Sequence, residues 1–265
     1  MHIAIDDTYG PLNHGTSRYI TGKRRTQVGV LFDDSEVEHI RGQVNDCLAY
    51  IRERTGEWPD EFHFVDIYNR KGVWERTEQG LNLRLFEAFA AIYSSYRWPV
   101  MIQTVDERTV SDLKGLDTAL VLEGLDPKDY SQIALSLLCL RIRIRFKGTN
   151  EPLTLLLDEG LKKAGKPFGD QLFRNWPSAF VGRFASSKSE GLLQIADFLA
   201  FCINRNTHLA LKAQRTELDH WFLQLVSDMR IDSPDLSPFL AKPNFSTADL
   251  DEFHRRDRTL KGIED

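Results

Sequence analysis

Four acidic side chains stand out by their surroundings. Asp197 lies inside Leu192-Leu193-Gln194-Ile195-Ala196-Asp197-Phe198-Leu199-Ala200-Phe201, a helix-like segment that is apolar nearly all round. Burying an ionised carboxylate there costs several kcal/mol unless it is paired or holds a cation. Asp158 ends the apolar run Leu153-Thr154-Leu155-Leu156-Leu157, at the strand end where α/β sheets place their ligands. Asp6 follows Ile3 and Ile5 at the end of an opening strand, with Asp7 beside it. Glu61 and His63 share one face of the alternating segment Glu61-Phe62-His63-Phe64. Carboxylates that meet in one place repel unless their charge is cancelled. Hard divalent cations cancel it with oxygen ligands, and Mg²⁺ or Mn²⁺ suits such a set better than Zn²⁺. Two such ions about 3.5–4 Å apart activate a water and stabilise the leaving oxygen of a phosphodiester. His63 would add a proton carrier or a further ligand.

Each of these residues also has a plainer reading. Asp6 and Asp7 are good turn formers, and Asp158 is a good cap for the segment after it. Asp197 would be satisfied by a buried Arg or Lys, and a histidine on a strand face is often simply a satisfied core or surface residue. Convergence of the four acids is what separates the readings.

The elements that must position them follow from periodicity. A first strand over 2–6 and a second over 27–32 make a hairpin-like start. Ser35 and Glu38 form an S-x-x-E capping box for a helix that buries Val37, Ile40, Val44, Leu48 and Ile51 and stops at Gly56. A short strand over 61–64, a helix over about 78–93 and a strand over 99–105 come next. Residues 106–125 read as a loop with a short helix. Asp126-Pro127-Lys128-Asp129 opens a helix reaching Lys147, with Gly148 as its stop. The alternation of Arg141, Arg143 and Arg145 would also suit a strand over 140–146, but helix continuation is preferred.

The run 153–157 is apolar enough to be a strand covered on both faces. A strand over 179–184 and a helix from about 191 to 204 follow. Another helix, over 216–229, is expected to bury Leu218, Trp221, Phe222, Leu225 and Met229. From Asp232 onward scattered prolines and a charged run read as a loosely packed extension. The whole predicts an α/β fold with a mixed central sheet flanked by helices, one domain over 1–230 and a helical extension over 231–265 packed on it or loosely attached to it.

The chain resembles the DUF 3800 family, a domain of unknown function regarded as RNase H-like. The residues that carry the resemblance are Ile5-Asp6-Asp7-Thr8-Tyr9-Gly10, Glu61-Phe62-His63, Leu157-Asp158-Glu159 and, most specifically, Leu192-Leu193-Gln194-Ile195-Ala196-Asp197 with Ser187-Lys188 ahead of it. It covers roughly residues 1–204. The opening motif departs from the family's usual Asp-Glu-Ser-Gly, because Asp7 replaces the Glu and Thr8-Tyr9 precede Gly10. The resemblance implies an RNase H-like sheet and a metal-dependent nuclease site on Asp6, Glu61, Asp158 and Asp197. It also implies a setting in phage defence or mobile-element biology.

Composition narrows the rest. The 265 residues are 42% hydrophobic and 28% charged, with a formal net charge of −5, so nothing draws the chain as a whole to polyanions. A nucleic-acid partner would be met locally, by Lys188 or Lys162 and Lys163 near the acids. Backbone tracks would come from Arg18, Lys23, Arg24 and Arg25, or from Arg141, Arg143, Arg145 and Lys147. Cys47, Cys139 and Cys202 sit apart in apolar surroundings and read as buried hydrophobes in a reducing compartment. No apolar run is long enough to span a bilayer and no leader is expected, so the cytoplasm is the expected location, with no membrane partner. Gly160-Leu161-Lys162-Lys163-Ala164-Gly165-Lys166-Pro167 nearly spells a P-loop, but Pro167 stands where a Mg²⁺-binding hydroxyl is required. H-E-x-x-H, C-x-x-C and G-x-S-x-G motifs are absent, which leaves zinc and serine hydrolase chemistry without support.

Overall fold

A computed structural model of the chain describes residues 1–9, 17–20, 24–112, 124–236, 244–260 and 262–263. Its centre is a five-stranded mixed sheet in the order β3-β2-β1-β4-β5. The strands are β1 (His2–Tyr9), β2 (Arg25–Phe32), β3 (Val100–Val105), β4 (Leu153–Asp158) and β5 (Phe180–Ala185). β2 runs antiparallel to both of its neighbours, while β1, β4 and β5 are parallel. Strand β1 is therefore central, and the ends of β1 and β4 emerge on the same side of the sheet.

Alternation along the strands divides the core into two layers. Ile3, Ile5, Leu155 and Leu157 face α5 (Tyr130–Arg145), where they meet Leu135, Leu138 and Ile142. Ala4, Val28, Val30 and Leu156 face the other way, toward α1 (Val37–Thr55), α3 (Leu81–Tyr96) and α6 (Gly191–Ala210). Helix α6 lies across β1 and β2 and packs on α1 and on α7 (Glu217–Met229). Short helices α2 (Phe64–Asn69) and α4 (Glu107–Asp112) and a 3₁₀ turn over Gly72–Arg76 complete the connections, and α8 (Thr247–Leu260) comes last. Among the described residues no helix is long and apolar enough to cross a membrane.

The start of α6 is fixed firmly. Arg41 on α1 grips Glu190 with two hydrogen bonds, Nε to Oε1 at 2.9 Å and Nη2 to Oε2 at 2.6 Å. Glu190 in turn caps the helix by accepting from the Leu192 N–H. Gly191 allows close approach, since a Cβ there would lie 3.2 Å from Val44 Cβ.

Most predicted elements are present, and the helical reading of 140–146 is the observed one. Several expectations are corrected. The capping box at Ser35 does not form, because the Ser35 hydroxyl and N–H are both taken by Asp33 and the helix begins at Val37 after Glu36. Residues 61–63 are not a strand; they form an irregular segment leading into α2. Helix α6 continues to Ala210, and α7 buries Asp219, Leu223 and Val226 while Leu218 stays exposed.

The stretch after Asp232 is not loosely attached. Asp232 and Asp235 bond to the backbone N–H groups of Val100 and Ile102, covering the free edge of β3. Leu250 and Phe245 are buried against Ile20 and Leu211, and Arg258 pairs with Asp112. Part of the predicted loop over 106–125 is α4; residues 113–123 lie outside the described residues, as do Gly10 of the opening motif and Lys23.

Candidate active site

The parallel register places Ile5 opposite Leu157, so Asp6 and Asp158 stand side by side at the same level. Asp158 is the last residue of β4, whereas β1 does not end at Asp6 as expected but runs on to Tyr9, paired with β2. By alternation both belong to the face of Ala4 and Leu156, the face crossed by α6 and Asp197. The fourth acid arrives through α6 itself. Gln194 Oε1 accepts from the Phe62 N–H at 3.0 Å, and Gln194 Nε2 donates to Ser187 O at 2.7 Å. One helical turn on, Asp197 Oδ2 accepts from the Phe64 N–H at 3.0 Å. With Phe62 and Phe64 sunk in the core, Glu61 and His63 are left facing outward between these anchors. The Ser187 hydroxyl donates to Glu61 Oε2 and holds that carboxylate in place.

The electrostatics bring all four acids into one field. Burial drives the Asp6 carboxyl well above the usual range, and the charges of Asp197, Asp158 and Asp7 push it further. A bond from the Asp7 N–H to Asp6 Oδ1 at 2.8 Å opposes this. Asp197 is pushed up to about 7 by burial, against the pull of His63 and the Phe64 N–H, with Asp158 and Glu61 adding to the rise. Asp158 is raised chiefly by burial, with Glu61 and Glu159 contributing and the N–H groups of Glu159 and Gly160 opposing.

Among the described residues none of Asp6, Glu61, Asp158 or Asp197 forms a salt bridge with a lysine or arginine. The simple buried-ion-pair reading of Asp197 therefore fails. Asp158 Oδ1 is enclosed and has no hydrogen-bond partner, an unusual state for a buried carboxylate oxygen.

An all-oxygen donor set, an orphaned oxygen and elevated proton affinities are what a site for a hard divalent cation offers. The residues present fit such an ion in kind. They are not drawn into a finished ligand set, since among the described residues no three His, Cys, Asp or Glu side chains are arranged to hold a metal.

The remaining predicted residues fall around this centre. His63 is exposed, with Nδ1 3.1 Å from Asp66 Oδ2. Lys188 follows Ser187 and sits 3.2 Å from Asp60, a pairing that raises its pKa. On the α5 side a cleft of about 380 Å³ opens beside Asp6 and Asp158, lined also by Asp7, Tyr9, Gln27 and Ser131. Ser131 Oγ donates to Asp7 Oδ2 at 2.9 Å and accepts from Gln27 Nε2 at 2.9 Å.

Periodicity does not single out Gln194, Ser187, Gln27 or Ser131. Gln194 carries a signal as a polar residue in the same apolar helix as Asp197, and Ser187 stands in the stretch that carries the family resemblance, but the sequence assigns neither a role.

Several members of the two basic sets are already engaged, while Arg18, Arg143, Arg145 and Lys147 are exposed and Lys23 lies outside the described residues. Arg141 is bound to Asp235 and to Ile102 O, and Arg143 donates to Leu172 O at 2.7 Å. Arg145 leans on the Phe146 ring, and Arg25 lies 4.8 Å from the Tyr9 ring centroid. No family model matches the chain, and no curated protein matches it either.

Proposed function

We propose that the chain is a metal-dependent nuclease of RNase H-like architecture, hydrolysing nucleic-acid phosphodiester bonds. One observation carries the reading. Four carboxylates from β1, β4, α6 and the 61–63 segment share a field with no salt bridge to a lysine or arginine among the described residues, and one of their oxygens is enclosed and unpartnered. The mixed sheet with β1 at its centre, and acids side by side on adjacent parallel strands, Asp6 within β1 and Asp158 at the end of β4, support the RNase H-like part.

Asp6, Glu61, Asp158 and Asp197 would hold Mg²⁺ or Mn²⁺. Such ions, when bound, supply a nucleophilic water and stabilise the leaving oxygen of the phosphodiester. The chain's own groups orient and assist. Ser187 and Gln194 fix Glu61, His63 exchanges a proton from its exposed ring, and Lys188 turns from Asp60 to a backbone phosphate. A setting in phage defence or mobile-element biology follows from the DUF 3800 resemblance alone.

A second reading is a catalytically silent module that binds nucleic acid or a protein partner. Nuclease assays on single- and double-stranded DNA and RNA, with Mg²⁺ or Mn²⁺ and with chelator, separate the two. The nuclease reading expects cleavage that needs metal and is lost in Asp197→Asn. Cleavage indifferent to both rejects the metal mechanism, and binding without cleavage leaves the silent module.

A further inference from the structure

Away from the acids, a cavity of about 950 Å³ lies beside the edge strand β3. Its walls come from β3 (Ile102, Thr104), α6 (Ile203, Thr207), α7 (Val226) and α8 (Phe253). That size falls within the range of small-molecule sites, about 300–1,000 Å³, and the cavity is a partly open hollow bordered by these four elements.

One group in this wall has an unsatisfied donor. Arg24 lines the cavity, and its Nη1 is enclosed with no hydrogen-bond partner. Buried donors are nearly always paired, so an orphaned guanidinium nitrogen asks for an acceptor. Burial pulls the Arg24 pKa down to about 10, with Asp106 opposing. Asp106 is itself occupied by the Thr109 N–H at 2.9 Å and the Thr109 hydroxyl at 3.0 Å.

His254 lines the same cavity and is driven down to about 4 by burial and by the Arg24 charge, so it stays neutral at neutral pH. Arg97, Arg141 and Arg230 add positive charge to the lining, against Asp235 and Asp257, and Asp235 already holds Arg141. The cavity thus pairs an apolar stretch of wall, from Ile203, Val226, Leu250 and Phe253, with an excess of positive charge.

We propose that this cavity binds a small organic anion, its head group on Arg24 and its apolar or aromatic body along Ile203, Val226, Leu250 and Phe253. A carboxylate or phosphate gives the guanidinium the charged acceptor it lacks, and its planar fork suits either. The site shares no residue with the four acids, so it stands or falls independently of the nuclease reading.

The test is a fluorescence titration of the full chain with 1-anilinonaphthalene-8-sulfonate, an aromatic anion that brightens in apolar surroundings. The folded wild type should saturate at one probe per chain. Arg24→Gln should weaken binding at least tenfold, and Arg24→Lys should weaken it less. Ser227→Trp narrows the cavity without touching Arg24 and should weaken binding too, which keeps the test decisive if Arg24→Gln fails to fold. Competition by inorganic phosphate or by acetate then identifies the head group that the site takes. Binding that never saturates, or equal affinity in the folded variants and the wild type, overturns the proposal.

Discussion

Asp197 Oδ2 accepts a hydrogen bond from the Phe64 N–H at 3.0 Å, joining the buried helix to the first turn of a helix 133 residues earlier in the chain. The carboxylate caps α2 from outside its own segment, satisfying a donor that no intrahelical carbonyl reaches. The same side chain feels Asp158 and Glu61. It therefore has two roles, one structural and one electrostatic, and substitutions can pull them apart.

Asp197→Asn keeps an oxygen that can accept from Phe64 but removes the charge. In chelator at pH 8 this variant should melt at a higher temperature than the wild type, because burial and like-charge repulsion are relieved. If Asp197 were instead half of a stabilising ion pair, thermal melts would show the opposite shift.

The pH dependence of the metal-free protein follows in sign. Asp197 has a folded pKa raised from 3.8 to about 7, and Asp6 and Asp158 are raised as well. Folding therefore takes up protons at these sites. Their contribution to stability is complete below the ordinary carboxylate range and is lost as pH rises through about 7 for Asp197. Urea midpoints in chelator should fall between pH 5 and 8 for the wild type and fall less for Asp197→Asn. Equal slopes would remove the carboxylates from the explanation.

Gln194→Ala strands the buried Phe62 N–H and removes the donor to Ser187 O. Leaving such groups unpaired costs roughly 1–3 kcal/mol each, and some relaxation is expected, so a loss of about 2 kcal/mol should appear in denaturant melts. Because Glu61 hangs from the same anchor, cleavage should fall by more than the unfolded fraction explains. A stable variant with full activity would show that the anchor is dispensable.

Arg41→Met leaves Glu190 buried beside α6 without its two-pronged partner. Removing one member of a buried pair costs about 3–5 kcal/mol, and the partial exposure of Arg41 brings the expectation nearer to 2 kcal/mol. Calorimetry on the purified variant checks this, and an unchanged melting temperature would contradict the assigned role of the clamp.

Much of the molecule was legible in its residues. The continuous apolar run of β4 and the all-round apolar helix around Asp197 could only be buried, and both are. Residues 61–64 misled because two buried phenylalanines alternating with polar residues copy the period of a strand. What holds them is a pair of side chains on α6, and such distant partners leave no local periodicity. Ser35 misled for the reverse reason, since a nearer acceptor, Asp33, captures its hydroxyl. Asp232 and Asp235 looked like surface residues of a proline-bearing tail, and nothing nearby in sequence tells that they cover the edge of β3.

The central claim is that Asp6, Glu61, Asp158 and Asp197 together form a divalent-cation site. Isothermal titration of Mn²⁺ into metal-free protein at pH 8 tests it most directly, with wild type and Asp197→Asn run side by side. Saturable binding with proton release is expected in the wild type, and its loss in the folded variant. An absence of saturable heat in the wild type, or equal affinity in both proteins, would contradict it.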